Sequence, residues 1–211
     1  TAVSVKSDGK ILSSDHKQGL GKAEAELSKL SSRMEIEACK ETVDLVDMVL
    51  MDGSLYSQFM TRQPALSAAI TRIMTKKNNV LFVAKTSNTD VQFSDLGSKA
   101  GDIFYYNHAT KAPGFSKIYA DRKFGKDKTI SSIYARLSDS TPLIKIELLG
   151  GDHTENEIKS VLDRLYKSSV GGYPYALKLA HNNCKISGND LAKLVSLYGI
   201  SNEIGSREVL E

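Results

Sequence analysis

Four acids carry the chemistry that the sequence of 211 residues suggests. Asp52 closes the apolar run Asp47-Met48-Val49-Leu50-Met51 and is followed by Gly53-Ser54, which puts a carboxylate at the rim of a sheet, where open α/β folds receive ligands. An Asx turn, with Asp52 bonding the amide of Ser54 or Leu55, is the alternative reading. Glu35 and Glu37 lie 17 and 15 residues upstream, on a segment of helical character that can pack back across the sheet. Asp8 stands in an Asp8-Gly9 pair that reads equally well as a hairpin turn. Hard oxygen donors of this kind suit Mg²⁺ or Mn²⁺, and paired ions activate water and stabilise the leaving oxygen of a phosphodiester. His181, eight residues after Tyr173, adds an imidazole suited to ligating Mn²⁺, orienting water or moving a proton, although packing is the usual fate of a lone helical histidine. Basic and aromatic residues interleave from Lys111 to Lys128 and include Lys123 and Lys126. That alternation fits a strand tracking a sugar-phosphate backbone, and fits equally a half-buried antiparallel pair with a solvated face.

The elements that must position these groups follow from periodicity. Ala2–Val5 and Lys10–Leu12 read as a hairpin, and Gly21–Val46 as a long helix whose stripe is Leu27, Leu30, Met34 and Ala38. Measured against that stripe, Glu37 lies nearer the buried side than Glu35. Asp47–Met51 and Asn79–Lys85 read as strands buried on both faces, joined by a helix over Pro64–Lys77, so they form a parallel unit. Ile103–Tyr106, Ser116–Ala120, Ile130–Leu137 and Leu143–Leu148 read as mainly antiparallel strands. Glu155–Tyr166 reads as a helix broken by Gly171-Gly172, with one helix begun by Pro174 and another capped at Ser187. The expected fold is therefore α/β, a mixed central sheet flanked by helices with additional antiparallel strands.

Composition narrows the class. Hydrophobic residues make up 41% and charged residues 25%, an ordinary globular balance, and the net charge of +3 permits a polyanionic partner without requiring one. Two distant cysteines, Cys39 and Cys184, argue against a zinc knuckle or disulfide framework. No apolar run approaches the roughly 18 residues a membrane span needs, and no signal core is visible, so a cytoplasmic protein with no membrane partner is expected. Without repeats, linkers or low-complexity tracts, one domain over 1–211 is expected. Neither GxxxxGK[ST] nor GxGxxG occurs, which argues against a nucleotide-binding phosphate loop.

Several blocks together resemble the NurA nuclease family, DNA end-processing enzymes with a ribonuclease H-like core. They are Arg33-Met34-Glu35-Ile36-Glu37 leading into Val49–Leu55, then Phe82–Ser87, Tyr134–Leu137 with Ile144–Leu148, and Gly172-Tyr173-Pro174-Tyr175 through Ala180-His181. The resemblance implies that Asp52, Glu35, Tyr173 and His181 are catalytic, with Asp8, Glu35 and Asp52 holding Mn²⁺ or Mg²⁺. The family spacing selects Glu35 where periodicity favours Glu37. It also implies that Lys85 and Arg136 meet DNA, to which the interleaved segment would add Lys123 and Lys126. The implied activity is hydrolysis of DNA phosphodiesters, by endonuclease action on single strands and 5′-to-3′ exonuclease action, during end resection and repair. Implied partners are DNA, a second copy in a homodimer and a HerA-type hexameric ATPase. Family members run longer and carry a DGS-like first motif, where this chain has Asp8-Gly9-Lys10. A degenerate relative that binds DNA or the ATPase without cutting is the alternative.

Overall fold

The computed structural model describes residues 4–5, 11–13, 16–55, 63–96, 100–124 and 128–199, with backbone alone for 4–5, 11–13, 16–24 and 121–124. Asp8 and Lys126 lie outside the described residues. The chain divides into two compact units, Thr1–Pro174 and Tyr175–Glu211.

The first unit begins with β1 (Ser4–Val5) and β2 (Ile11–Ser13), which pair antiparallel in a two-stranded sheet of their own. Helix α1 (His16–Thr42) leads to β3 (Val49–Asp52), helix α2 (Pro64–Lys76) and β4 (Val80–Ala84). Proline at the first turn of α2 uses a position that has no intrahelical N–H partner to lose. β3 and β4 pair in parallel, with Asp52 opposite Val83, as a strand–helix–strand unit requires. Then come α3 (Asp102–Ala109), β5 (Gly114–Phe115), β6 (Tyr119–Phe124), β7 (Lys128–Arg136) and β8 (Ile144–Leu149). The central sheet runs β3-β4-β8-β7-β5, with β6 also on β7, and every pairing other than β3 with β4 is antiparallel. This is the mixed sheet flanked by helices that the sequence predicts.

Ile36 and Cys39 of α1, Val43 just past its end, and Ile70 and Met74 of α2 pack with Val80, Phe82, Ile130 and Leu149 of the sheet. Each such aliphatic side chain removed from water contributes on the order of 2 kcal/mol, so this cluster fixes α1 against β3 and β4. Helix α4 (Glu155–Lys167) starts with a reciprocal Thr154–Glu157 capping box and buries Ile158, Leu162 and Leu165. It ends in a tight hairpin of β9 (Ser169–Val170) and β10 (Tyr173–Pro174). Gly171 and Gly172, at φ of +62° and +74°, form its two-residue loop, a backbone that residues with a Cβ enter at a cost. The second unit holds α5 (Tyr175–Cys184) and α6 (Gly188–Leu197), the latter capped by Ser187 with Asp190.

Four expectations are corrected. The buried stripe of α1 is Ile36 and Cys39, continued by Val43 just past its end, while Leu27, Leu30 and Met34 are exposed. β3 is only partly buried, since among the described residues it lies at the edge of the sheet and pairs with β4 alone. Ile103–Tyr106 belongs to helix α3. There the buried Asp102 carboxylate accepts the amides of Val91, Gln92 and Phe93 and so ties the incoming loop to the helix start. Pro174 closes a strand, and the helix begins at Tyr175.

Candidate active site

Asp52 sits at the carboxyl end of β3, where the chain turns through Gly53 at φ +97°. The Gly53 amide continues the ladder to the Val83 carbonyl (2.9 Å), so the Asp52 backbone is held on both sides. Half of its side chain is open to solvent. The Leu55 amide, which an Asx turn at Asp52 would use, donates instead to Glu147 Oε2 at 2.6 Å. The carboxylate is thus left for other groups. Tyr173 Oη donates to its Oδ1 at 3.3 Å, and Lys85 Nζ stands 3.9 Å from Oδ2. Lys85 also lies over the Tyr173 ring, 4.7 Å from the centroid, a cation–π contact that keeps the ammonium beside the acid.

The second acid comes from α1. Glu35, although exposed as a residue, has its carboxyl ionisation pushed up, first by desolvation and then by the negative charge of Asp52, against a lowering bond from Ser31 Oγ at 3.4 Å. The two carboxylates therefore feel one another. Glu37 points its carboxylate to Arg33 Nε at 2.9 Å, a solvated pair on the helix surface. Relative to the true stripe of Ile36, Cys39 and Val43, Glu35 lies about 70° from its centre and Glu37 about 130° away.

Tyr173 also has its ionisation raised, by desolvation first, then by the charge of Asp52 and by donating a hydrogen bond to it. The phenol is thereby kept a proton donor at any physiological pH. Asp52, Tyr173 and Lys85 form a half-open cluster of an acid, a hydroxyl and a cation at the carboxyl ends of β3 and β4, and Glu35 feels the charge of that acid.

His181 is exposed on α5 in the second unit. Arg136 is buried, and its Nη2 donates to Asn107 Oδ1 (2.9 Å) and to the Thr110 carbonyl (3.0 Å). Its guanidinium braces the end of α3. Lys123 lies on β6 opposite Thr129. Asp8 and Lys126 fall outside the described residues.

Two residues went unremarked as site groups. Lys145 and Glu147 form a fully buried ion pair on β8 (2.7 Å), and Glu147 Oε2 also accepts from Ser54 Oγ at 2.8 Å. Their signal in the sequence is two charges of opposite sign, two apart, on one face of the otherwise aliphatic strand Ile144-Lys145-Ile146-Glu147-Leu148-Leu149.

Among the described residues no group of three or more His, Cys, Asp and Glu side chains is gathered for a metal ion. Glu35 and Asp52 nevertheless fit a hard divalent cation, because Mg²⁺ commonly takes one or two carboxylates and completes its shell with water and substrate phosphate. Two mutually repelling acids at a partly desolvated site are the donors such an ion relieves. Among the described residues no helix is long and apolar enough to cross a membrane.

The NurA domain family profile matches residues 6–186. The chain is 25% identical over 181 residues to a protein of Sulfurisphaera tokodaii named DNA double-strand break repair nuclease NurA, covering 74% of this chain and 51% of that one. It is 29% identical over 133 residues to the protein of the same name from Saccharolobus solfataricus, covering 57% and 38% respectively. The chain thus spans about half or less of these relatives. The crystal structure of the NurA nuclease from Sulfolobus solfataricus shares the fold with a TM-score of 0.71 at 23% identity, over 82% of this chain and 66% of that one.

Proposed function

We propose that this chain, which belongs to the NurA family, hydrolyses DNA phosphodiester bonds using Mn²⁺ or Mg²⁺ held by Asp52 and Glu35, with Asp8 as a third ligand. The observation carrying this reading is Asp52 at the solvent-open end of β3, bonded by Tyr173 and faced by Lys85, with its charge adding to the burial that raises the ionisation of Glu35. A bound divalent ion supplies the positive charge that draws in a phosphodiester and activates its attacking water. Asp52 and Glu35 hold that charge at the end of β3. Tyr173 donates to Asp52 Oδ1 and fixes the carboxylate's rotamer, leaving Oδ2 toward Lys85. The Lys85 ammonium supplies a fixed counter-charge for a phosphate oxygen. His181 enters on the family resemblance, as the group that positions water or moves a proton.

On the same basis the substrates are single-stranded DNA cut internally and 5′ ends resected, in DNA repair. The partners are a second copy in a homodimer and a HerA-type hexameric ATPase, the fold is ribonuclease H-like, and Lys123 and Lys126 meet the backbone of the strand.

The lysine of Asp8-Gly9-Lys10, where the family carries a DGS-like motif, favours a second reading, a relative that binds DNA without cutting it. The two are separated by incubating labelled single-stranded DNA and Mn²⁺ with the wild type and with Asp52→Ala. Cleavage that needs Mn²⁺ and falls about 100-fold or more in the variant supports the nuclease. Equal products from both proteins, or none from either, refute it. DNA retention on a filter without products leaves the binding-only reading in its place.

A further inference from the structure

The buried Glu147–Lys145 pair is unexplained by stability alone. A buried ion pair gains little over apolar side chains of the same volume, because desolvation of both charges offsets their attraction. Two aliphatic residues would also continue the pattern of β8, and would extend the row formed by Leu149 with Phe82 and Ile130. What aliphatic residues cannot do is bind backbone and hydroxyl groups. Glu147 Oε2 accepts both the Leu55 amide (2.6 Å) and Ser54 Oγ (2.8 Å), while Oε1 takes Lys145 Nζ (2.7 Å). Leu55 is fully buried, so its amide needs a protein partner. Lys145 Nζ in turn donates to Thr89 Oγ1 at 3.0 Å. Thr89 is held from its own side, its amide and hydroxyl bonded to Ser87 Oγ and its carbonyl accepting the Asp102 amide.

The pair therefore reaches in two directions, to the turn that follows Asp52 on β3 and to the loop that follows Lys85 on β4. We propose that Glu147 is a positioning residue that clamps the turn after Asp52 to β8 and so fixes Asp52 in its working orientation, with Lys145 as the counter-ion of its buried charge. The inference rests on the Asp52-centred site proposed above.

The test compares two double variants of the whole chain. Lys145→Met with Glu147→Gln removes both charges but keeps one carbonyl oxygen, which suffices because a single Glu147 oxygen serves both turn donors. Lys145→Met with Glu147→Met removes the acceptor as well. Amide hydrogen exchange over residues 49–55 and Mn²⁺-dependent cleavage are measured on both. The Gln variant should keep wild-type protection and cleavage within about fivefold. The Met variant should exchange about tenfold faster or more at Leu55. Its kcat should fall about 30-fold or more with KM for DNA little changed, as misplacement of a catalytic group without loss of substrate binding requires. A merely structural pair would lower the melting temperature without splitting kcat from KM. Indistinguishable exchange and cleavage in the two variants overturns the inference. If the Met variant does not fold, Ser54→Ala replaces it, with a drop in kcat of about threefold or more supporting the clamp and no change overturning it. Should the wild type show no metal-dependent cleavage, the nuclease reading fails, and the exchange comparison alone decides the clamp.

Discussion

Replacing Glu35 by Gln should stabilise the metal-free protein and destabilise the metal-loaded one. Burial and the charge of Asp52 hold the Glu35 carboxyl above its ordinary value of 4.5, so the folded state keeps this proton to higher pH than the unfolded chain does. As pH rises through 4.5 the unfolded chain ionises first, and folding then carries a penalty that is complete once pH exceeds the raised folded value. Gln never ionises and escapes it, while its carbonyl still accepts the Ser31 hydroxyl. Glu35 is well exposed, so solvent screening limits the gain to under about 1 kcal/mol. In a chain of this size that is up to about 2–4 °C in Tm. The gain should be full at pH 8 and vanish below about pH 4, where Glu35 is protonated in both states. Mn²⁺ at 100 times its Kd adds about 2.7 kcal/mol to whichever protein binds it, a rise of about 5–11 °C. The wild type should show that rise and Glu35→Gln little of it, so the order of the two melting temperatures inverts on adding metal. Thermal melts at pH 4, 6 and 8, with EDTA and with Mn²⁺, provide the measurement. A variant that melts below the wild type in EDTA at pH 8, or gains as much from Mn²⁺, refutes the pairing of Glu35 with Asp52.

Two further substitutions examine the scaffold. Gly171→Ala meets open space and should cost about 1–2 kcal/mol for its left-handed backbone, whereas Gly172→Ala also drives its Cβ into Thr141, whose Oγ1 is tied to the Ser138 carbonyl. The overlap adds about 1–3 kcal/mol. Urea unfolding should therefore rank Gly172→Ala below Gly171→Ala, and Thr141→Ala should recover the difference; equal midpoints refute the steric account. Asp102→Asn exchanges a two-oxygen acceptor for one oxygen and an NH₂ facing backbone donors, and should cost about 2–3 kcal/mol by the same urea assay. A loss under about 0.5 kcal/mol would show that those three amides find other partners.

What the sequence made legible was local. Val80–Ala84 is an apolar run of strand length, Lys128–Arg136 and Ile144–Leu149 are rich in β-branched and aliphatic residues, and Pro64–Lys76 opens with proline, so each element declares itself. The parallel pairing of β3 and β4 followed from the helix between them. α1 was harder, because it carries two stripes at equivalent spacing, and nothing in Leu27, Leu30 and Met34 says that Ile36, Cys39 and Val43 are the ones the sheet covers. The wrong stripe in turn inclined the periodicity argument toward Glu37. Asp102–Ala109 misled through Ile103-Phe104-Tyr105-Tyr106, four residues of strand preference whose helix is anchored by a carboxylate reaching back nine to eleven positions. Asp52 stood out because an acid ended an apolar run, but its partners Tyr173 and Lys85 lie 121 and 33 residues away, and only the folded chain shows their contacts.

The nearness of Lys85 to Asp52 is a consequence of strand direction. β3 and β4 run in parallel with Asp52 opposite Val83, so the residue two further along β4 projects beyond the same end of the sheet by about 6.6 Å. A lysine side chain spans that gap, and its Nζ returns to 3.9 Å from the carboxylate. Were β4 antiparallel to β3, as all the other sheet neighbours are, Lys85 would leave the sheet at the opposite end from Asp52. The parallel pairing of β3 with β4 thus decides that acid and cation face the same crevice. The antiparallel return of β8 then brings its first charged residues, Lys145 and Glu147, beside Ala84 and Phe82 at that same end. A buried pair in this register reaches the turns after both parallel strands; a two-residue slip of β8 toward its start would leave the Leu55 amide without its acceptor.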